Sequence, residues 1–253
     1  MYAVMRSEWA KLRTIRSTAL ALALTFVISV GLAWTSGFSV RNAYTSGNAD
    51  LVRPDFDPVY SGFVGLLYGQ LSLVVFGVLL VGTEFGSGTI RMTLAAVPQR
   101  SRLFAGKVAA GMGAALVVSV PTAFISWPAN QAGLGPYGAA MSDPGVARAV
   151  AGAAVYLMLV CALAIGVATV VRSSALALGI LIPLFYVVEP ILGRIPLTEA
   201  LARYLPGQAG AQVMTVGPLK NGALQPGQGL LVLVAWTAAA LVAGYLSLRH
   251  RDV

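Results

Sequence analysis

Residues 149–171 read AVAGAAVYLMLVCALAIGVATVV, Arg172-Ser173-Ser174 follow, and residues 175–192 read ALALGILIPLFYVVEPIL. As helices rising 1.5 Å per residue, these runs extend roughly 35 and 27 Å, which suits a hydrocarbon layer of about 30 Å. Their only ionisable side chains are Tyr156, Cys161, Tyr186 and, near the end of the second run, Glu189. A segment in lipid must satisfy its backbone polar groups internally, so each run is read as a spanning helix. Three intervening residues leave no room for anything but a tight antiparallel hairpin.

Working outward, four more runs of the same kind occupy residues 18–35, 59–83, 108–129 and 229–248. The predicted fold class is therefore an all-α membrane protein with six transmembrane helices in a single domain, 1–253. Composition agrees: the 253 residues are 57% hydrophobic and only 10% charged, with mean hydropathy +0.79, against about 25% charged residues in an ordinary soluble domain. The single cysteine, Cys161, lies inside an apolar run, which excludes an internal disulfide and a thiol metal site. The basic leader before residue 18 raises the possibility of a secretory signal, but no clear small-residue cleavage site follows residues 31–36, so a retained signal anchor is expected.

Charge sets the orientation. With six spans, Arg6, Lys11, Arg13, Arg16, Arg91, Arg100, Arg102, Lys107, Arg172, Arg249 and Arg251 fall on the side of the termini, and Arg41, Arg53, Arg148, Arg194, Arg203 and Lys220 on the other, which accounts for all 17 basic residues. Glu8, Glu84 and Asp252 share the first side, and Asp50, Asp55, Asp57, Asp143, Glu189 and Glu199 the second. The net +8 thus belongs entirely to the terminal side. The positive-inside rule then places both termini in the cytoplasm. Anionic lipid headgroups explain this basic face without nucleic acid as a partner.

The connections carry further pattern. In residues 2–17, Tyr2, Met5, Trp9 and Leu12 recur at helical spacing, with Arg13 among the basic residues; this predicts an amphipathic interfacial helix (1–17), the alternative being a plain basic flank to the first span. In the cytoplasmic segment 84–107, Thr89 is a candidate N-cap, Ile90, Leu94 and Val97 share a helical face, and Pro98 ends the helix. The acids in Pro54-Asp55-Phe56-Asp57-Pro58 read as a solvated turn rather than a metal site. Residues 193–228 are expected to fold as a compact outer cap, including a short helix over Leu197–Leu205 stopped by Pro206-Gly207.

The chain lacks the residue sets of catalysis. Gly106-Lys107 is the nearest approach to a phosphate-binding loop, but Ser101 stands where the first glycine is needed and Val108 where the hydroxyl is needed. Gly86-Ser87-Gly88 begins like a dinucleotide fingerprint, with Arg91 in place of the third glycine and no preceding strand. The one histidine, His250, sits in a basic tail. No metal site is expected, and no catalytic residue is assigned. The polar side chains inside the spans, among them Gln70, Ser72, Ser119, Thr122, Ser126, Tyr156, Thr169 and Thr237, are read mostly as helix-capping or interhelical groups. Gln70, Phe76, Ser119, Thr122 and Phe185 are the candidates for lining a transport pathway. Gly65-Leu66-Leu67-Tyr68-Gly69 matches the small-residue packing motif. Pro121, Pro128 and Pro183 predict kinks that frame a cavity.

Together, the basic N-terminal helix, the six spans and Glu84-Phe85-Gly86-Ser87-Gly88-Thr89 followed by a short helix resemble the ABC-2 class of ATP-binding-cassette transporter permeases. The topology carries the resemblance over the whole chain; its sequence signature lies in residues 84–107. The resemblance implies a type V exporter-like fold in the bacterial inner membrane, a second permease copy or paralogue, and a separate ABC ATPase subunit that binds ATP and Mg2+. This chain would bind no cofactor itself and would not be an enzyme. It also implies an interfacial role for Met5, Trp9, Leu12 and Arg13, and an ATPase-coupling role for Glu84, Gly88, Thr89, Ile90, Arg91, Leu94, Val97, Arg100 and Arg102. A charged pair between Glu84 and Arg13 is expected to join these two elements. The expected cargo is hydrophobic or amphipathic: a drug, lipid or peptide. The competing reading is a secondary transporter or channel acting alone, which needs an ion-coupling group or a lined pore.

Overall fold

In the computed structural model the described residues are 16–48, 56–90, 99–219 and 222–250, with residues 9, 50, 52, 54 and 92. Ten α-helices are labelled here: α1 Arg16–Thr45, α2 Pro58–Ser61, α3 Val64–Gly86, α4 Arg100–Leu134, α5 Val146–Val171, α6 Ser174–Pro183, α7 Glu189–Leu192, α8 Glu199–Ala202, α9 Pro206–Ala211 and α10 Pro226–His250. A π turn, Leu184–Val188, joins α6 to α7. No strand occurs among the described residues. Six stretches are long and apolar enough to cross a membrane: α1, α2 with α3, α4 with its following turn, α5, α6 to α7, and α10. They overlap the six expected spans; the first runs ten residues further, to Thr45, and the third eight residues further at each end, to Arg100 and Tyr137.

Burial divides these spans into an axis and a jacket. The most apolar windows of α2–α3 and α5 are 67% and 72% buried, whereas those of α1, α6–α7 and α10 are 28%, 22% and 22% buried. Two helices therefore form the centre, and the others give one face to them and one to the surroundings. Leu20, Val27 and Phe38 on α1, Val117 and Phe124 on α4, and Leu231 and Val242 on α10 are exposed. Such a girdle suits a lipid solvent and would be costly in water.

Contacts fix the helix directions. Gln70 meets Tyr156 while Gly77 faces Cys161, so α3 and α5 run parallel. Gly82 abuts Ser174 while Leu67 accepts from Tyr186, so the following hairpin arm runs antiparallel to α3. The starts of α1, α4 and α6 and the ends of α3, α5 and α10 share one end of the bundle, here the terminal end. Thr45, Pro58, Tyr137, Val146 and residues 193–219 and 222–226 lie at the far end.

Small residues permit the closest approaches. A Cβ at Gly65 would meet Ser29 O and Ala33 N, and one at Gly69 would meet Ser29 Oγ and Thr25 O. The Gly65–Gly69 motif thus seats α3 against α1 within one subunit. The α5–α6 hairpin is built as expected: Arg172 adopts φ 59°, ends α5 and donates its N–H to Ala168 O, and Ser173 caps α6 by accepting from Leu176 N.

Two expectations need correction. Pro121 and Pro128 lie inside a continuous α4, and no α4 side chain lines the large cavity. Only Pro183 is followed by a change of helix type, the π turn, a common local device at functional sites. In the cap, the expected helix over Leu197–Leu205 is one turn, α8, which ends at Ala202, and Pro206 starts α9 instead of stopping α8.

Candidate transport cavity and coupling segment

A cavity of about 1510 Å³ occupies the far half of the bundle between α1, α3, α5, the π turn, α7 and the cap. Its lining reaches Gln70, six residues into α3, and Tyr156, ten residues into α5, roughly 9 and 15 Å along those helices from their far-end starts. There Tyr156 Oη donates to Gln70 Oε1 at 2.6 Å, joining the two central helices. Tyr186 Oη donates to Leu67 O at 2.8 Å, and its ring stacks on Tyr68 with centroids 6.3 Å apart. Tyr60 and Phe185 complete an aromatic lining.

Glu189 is a buried acid in the wall of this cavity. Its residue is 2% exposed, and its carboxylate accepts from Gly207 N at 3.0 Å and Gln208 N at 2.8 Å. These are the first free N–H groups of α9, so the carboxylate fastens the cap to the fifth span. A Cβ on Gly207 would run into this carboxylate and Phe185, so glycine is required for the approach. Sequence reading placed Glu189 merely at a span end. The lone acid in Val187-Val188-Glu189-Pro190, downstream of Pro183, was the available signal.

Of the five candidate pathway residues, the structure brings two to the cavity, Gln70 and Phe185. Phe76 is fully buried in the core, and Ser119 and Thr122 are fully buried on α4 away from it. Thr122 donates to Val118 O within its own helix, and Ser119 Oγ has no hydrogen-bond partner among the described residues. The polarity or size of a residue in a span does not reveal the helix face that it occupies.

At the terminal end, Lys107 Nζ lies 2.6 Å from Glu84 Oε1, and both residues are buried. Lys107 was expected on the basic surface. Because α4 begins at Arg100, Lys107 stands two turns inside a helix, against the last turns of α3. Arg13, the expected partner of Glu84, lies outside the described residues. Arg100 Nη1 donates to Leu248 O at 2.6 Å and Arg249 O at 3.0 Å, while Arg172 Nη2 donates to Ser247 O at 2.7 Å. Arg172 also sits 5.5 Å from the Phe85 ring centre. Two guanidinium groups thus serve the open carbonyls at the end of α10, where a cation is favoured by the helix dipole.

Between these anchors, α3 ends at Gly86, Gly88 takes φ 70°, and helical backbone resumes at Thr89 and Ile90. Thr89 is inside the helix instead of capping it, with its hydroxyl 2.9 Å from Ser87 Oγ. Ile90 is only 3% exposed and packs into this chain, whereas Arg102 is exposed. Arg91, Leu94 and Val97 lie outside the described residues, as do Met5 and Leu12 of the interfacial helix; Trp9 is helical and 39% exposed. Among the described residues no group of three His, Cys, Asp or Glu side chains is placed to hold a metal. In comparisons with known proteins, no family model matches the chain and no curated protein matches it.

Proposed function

We propose that this chain is the permease subunit of an ATP-binding-cassette exporter of the ABC-2 class. The observation that carries the proposal is the cavity, which occupies the far half of the bundle between helices whose opposite ends flank residues 84–107. A substrate site and an energy-input site at opposite ends of the same helices is the arrangement an externally driven permease needs. The Glu84–Lys107 pair closes the base of the 87–99 connection, and Arg100 joins it to α10. Displacement of that connection therefore acts on α3, α4 and α10 together.

In this proposal ATP and Mg2+ are bound by a separate ATPase subunit, and this chain performs no chemistry. Leu94 and Val97 dock into the ATPase, Arg91 and Arg102 meet its acidic rim, and both termini face the cytoplasm of a bacterial cell. A second copy or paralogue completes the pathway, and the cargo is a drug, lipid or peptide of hydrophobic or amphipathic character. Purification of the tagged chain from its native membrane tests the assembly: an ATPase bearing Walker motifs should be retained, and its absence would remove the proposal's basis.

A second reading, a secondary transporter acting alone, is favoured by one observation, the Glu189 carboxylate in the cavity wall. An intramembrane acid is a common ion-coupling group. Uptake by the chain alone, driven by an imposed ion gradient, would support that reading.

A further inference from the structure

We infer that the far-end cavity binds monovalent organic cations with a large apolar body, and that Glu189 supplies their counter-charge. The inference rests on the cavity being the substrate site of a transporter, whichever energy source drives it. Glu189 is buried, and among the described residues it forms no ion pair. Its two backbone donors occupy one bond per oxygen, whereas an ionised carboxylate offers about four acceptor positions. Buried charges are ordinarily paired, so the remaining capacity is matched by a cation that enters the cavity.

The rest of the lining selects the kind of cation. Tyr60, Tyr68, Tyr156, Phe185 and Tyr186 all contribute to it. The hydroxyls of Tyr156 and Tyr186 are already committed to Gln70 and Leu67 O, and aromatic rings around a site attract ammonium and phosphonium groups. An inorganic divalent ion would require several oxygen ligands, and the described residues assemble no such group. Among the described residues the other charges in the lining are Asp57, whose carboxylate caps α2 by accepting from Val59 N and Tyr60 N, and Arg194, which is exposed. Among the described residues of the lining, an anion would meet the buried carboxylate with no buried cation to offset it. At about 1510 Å³ the cavity exceeds the usual 300–1,000 Å³ of small-molecule pockets, leaving space for an apolar body.

Tetraphenylphosphonium and tetraphenylborate have nearly the same shape and opposite charge, so they test the inference on the full chain in neutral-lipid nanodiscs. Equilibrium binding should favour the phosphonium by at least tenfold over the borate after subtraction of empty discs. Glu189→Gln should remove at least tenfold of the phosphonium affinity and leave that of neutral triphenylphosphine oxide within twofold. Equal binding of the two ions by the wild-type chain would overturn the inference, and so would an undiminished phosphonium affinity in a folded Glu189→Gln variant. The wild-type comparison decides even if that variant fails to fold. ATPase retention is scored on the same preparations: retention with no charge preference removes only the cation site, and charge preference with no retention removes only the permease assignment.

Discussion

Glu84 and Lys107, 23 residues apart in sequence, meet at 2.6 Å in the buried terminal end of the bundle. One ends the second span and the other lies near the start of the third, so the pair closes the base of the connection between them. Loss of one partner breaks a buried charged hydrogen bond, a contact worth about 1.5–3 kcal/mol in typical cases. Glu84→Gln or Lys107→Met alone should lower the thermal unfolding temperature clearly. The double variant should lose less than the sum of the two single losses. Strictly additive losses would show that the two charges do not depend on each other.

The close seat of α1 on α3 yields a packing prediction. Gly65→Val places atoms where Ser29 O and Ala33 N already stand, and overpacking of this kind costs typically 1–3 kcal/mol. Folded yield in detergent should fall, whereas Gly113→Ala, on an open stretch of α4, should be neutral. If the two variants behave alike, the helices are not in this contact.

Gln70 and Phe76 should separate transport from stability. Gln70 lines the cavity and Phe76 fills the core. Gln70→Leu should therefore reduce transport with a modest stability change, the Tyr156 hydroxyl losing a bond worth about 1 kcal/mol. Phe76→Ala should cost about 3–5 kcal/mol. A Phe76→Ala chain of normal stability and altered cargo preference would instead place this ring in the pathway.

Topology can be read with a membrane-impermeant thiol reagent, because the native Cys161 is buried. A cysteine at Ser46, in the far-end cavity rim, should react in intact cells. One at Ser173, in the α5–α6 turn, should react only after permeabilisation. The reverse pattern would invert the orientation drawn from the basic residues.

The fold was legible because lipid imposes one rule on every span: long apolar runs and a polar turn at Arg172–Ser174 define the helices without reference to their neighbours. The site was less legible because it depends on which helix face points inward. Ser119 and Gln70 are both polar residues in apolar runs, yet only Gln70 faces the cavity. Glu189 illustrates the same limit. Its burial comes from a cap that returns Gly207 and Gln208 to it across 18 and 19 residues of sequence, and no local pattern encodes that return. Lys107 looked like one more surface base until the longer α4 put it against Glu84.

The most direct test of a separately powered permease is cargo movement in proteoliposomes holding the chain and its candidate ATPase, with ATP on the ATPase side and tetraphenylphosphonium as the probe. The account predicts ATP-dependent transport that disappears when the partner's Walker lysine is replaced or when Leu94→Asp prevents docking. Equal transport by the chain alone under an ion gradient, unaffected by either change, would contradict it.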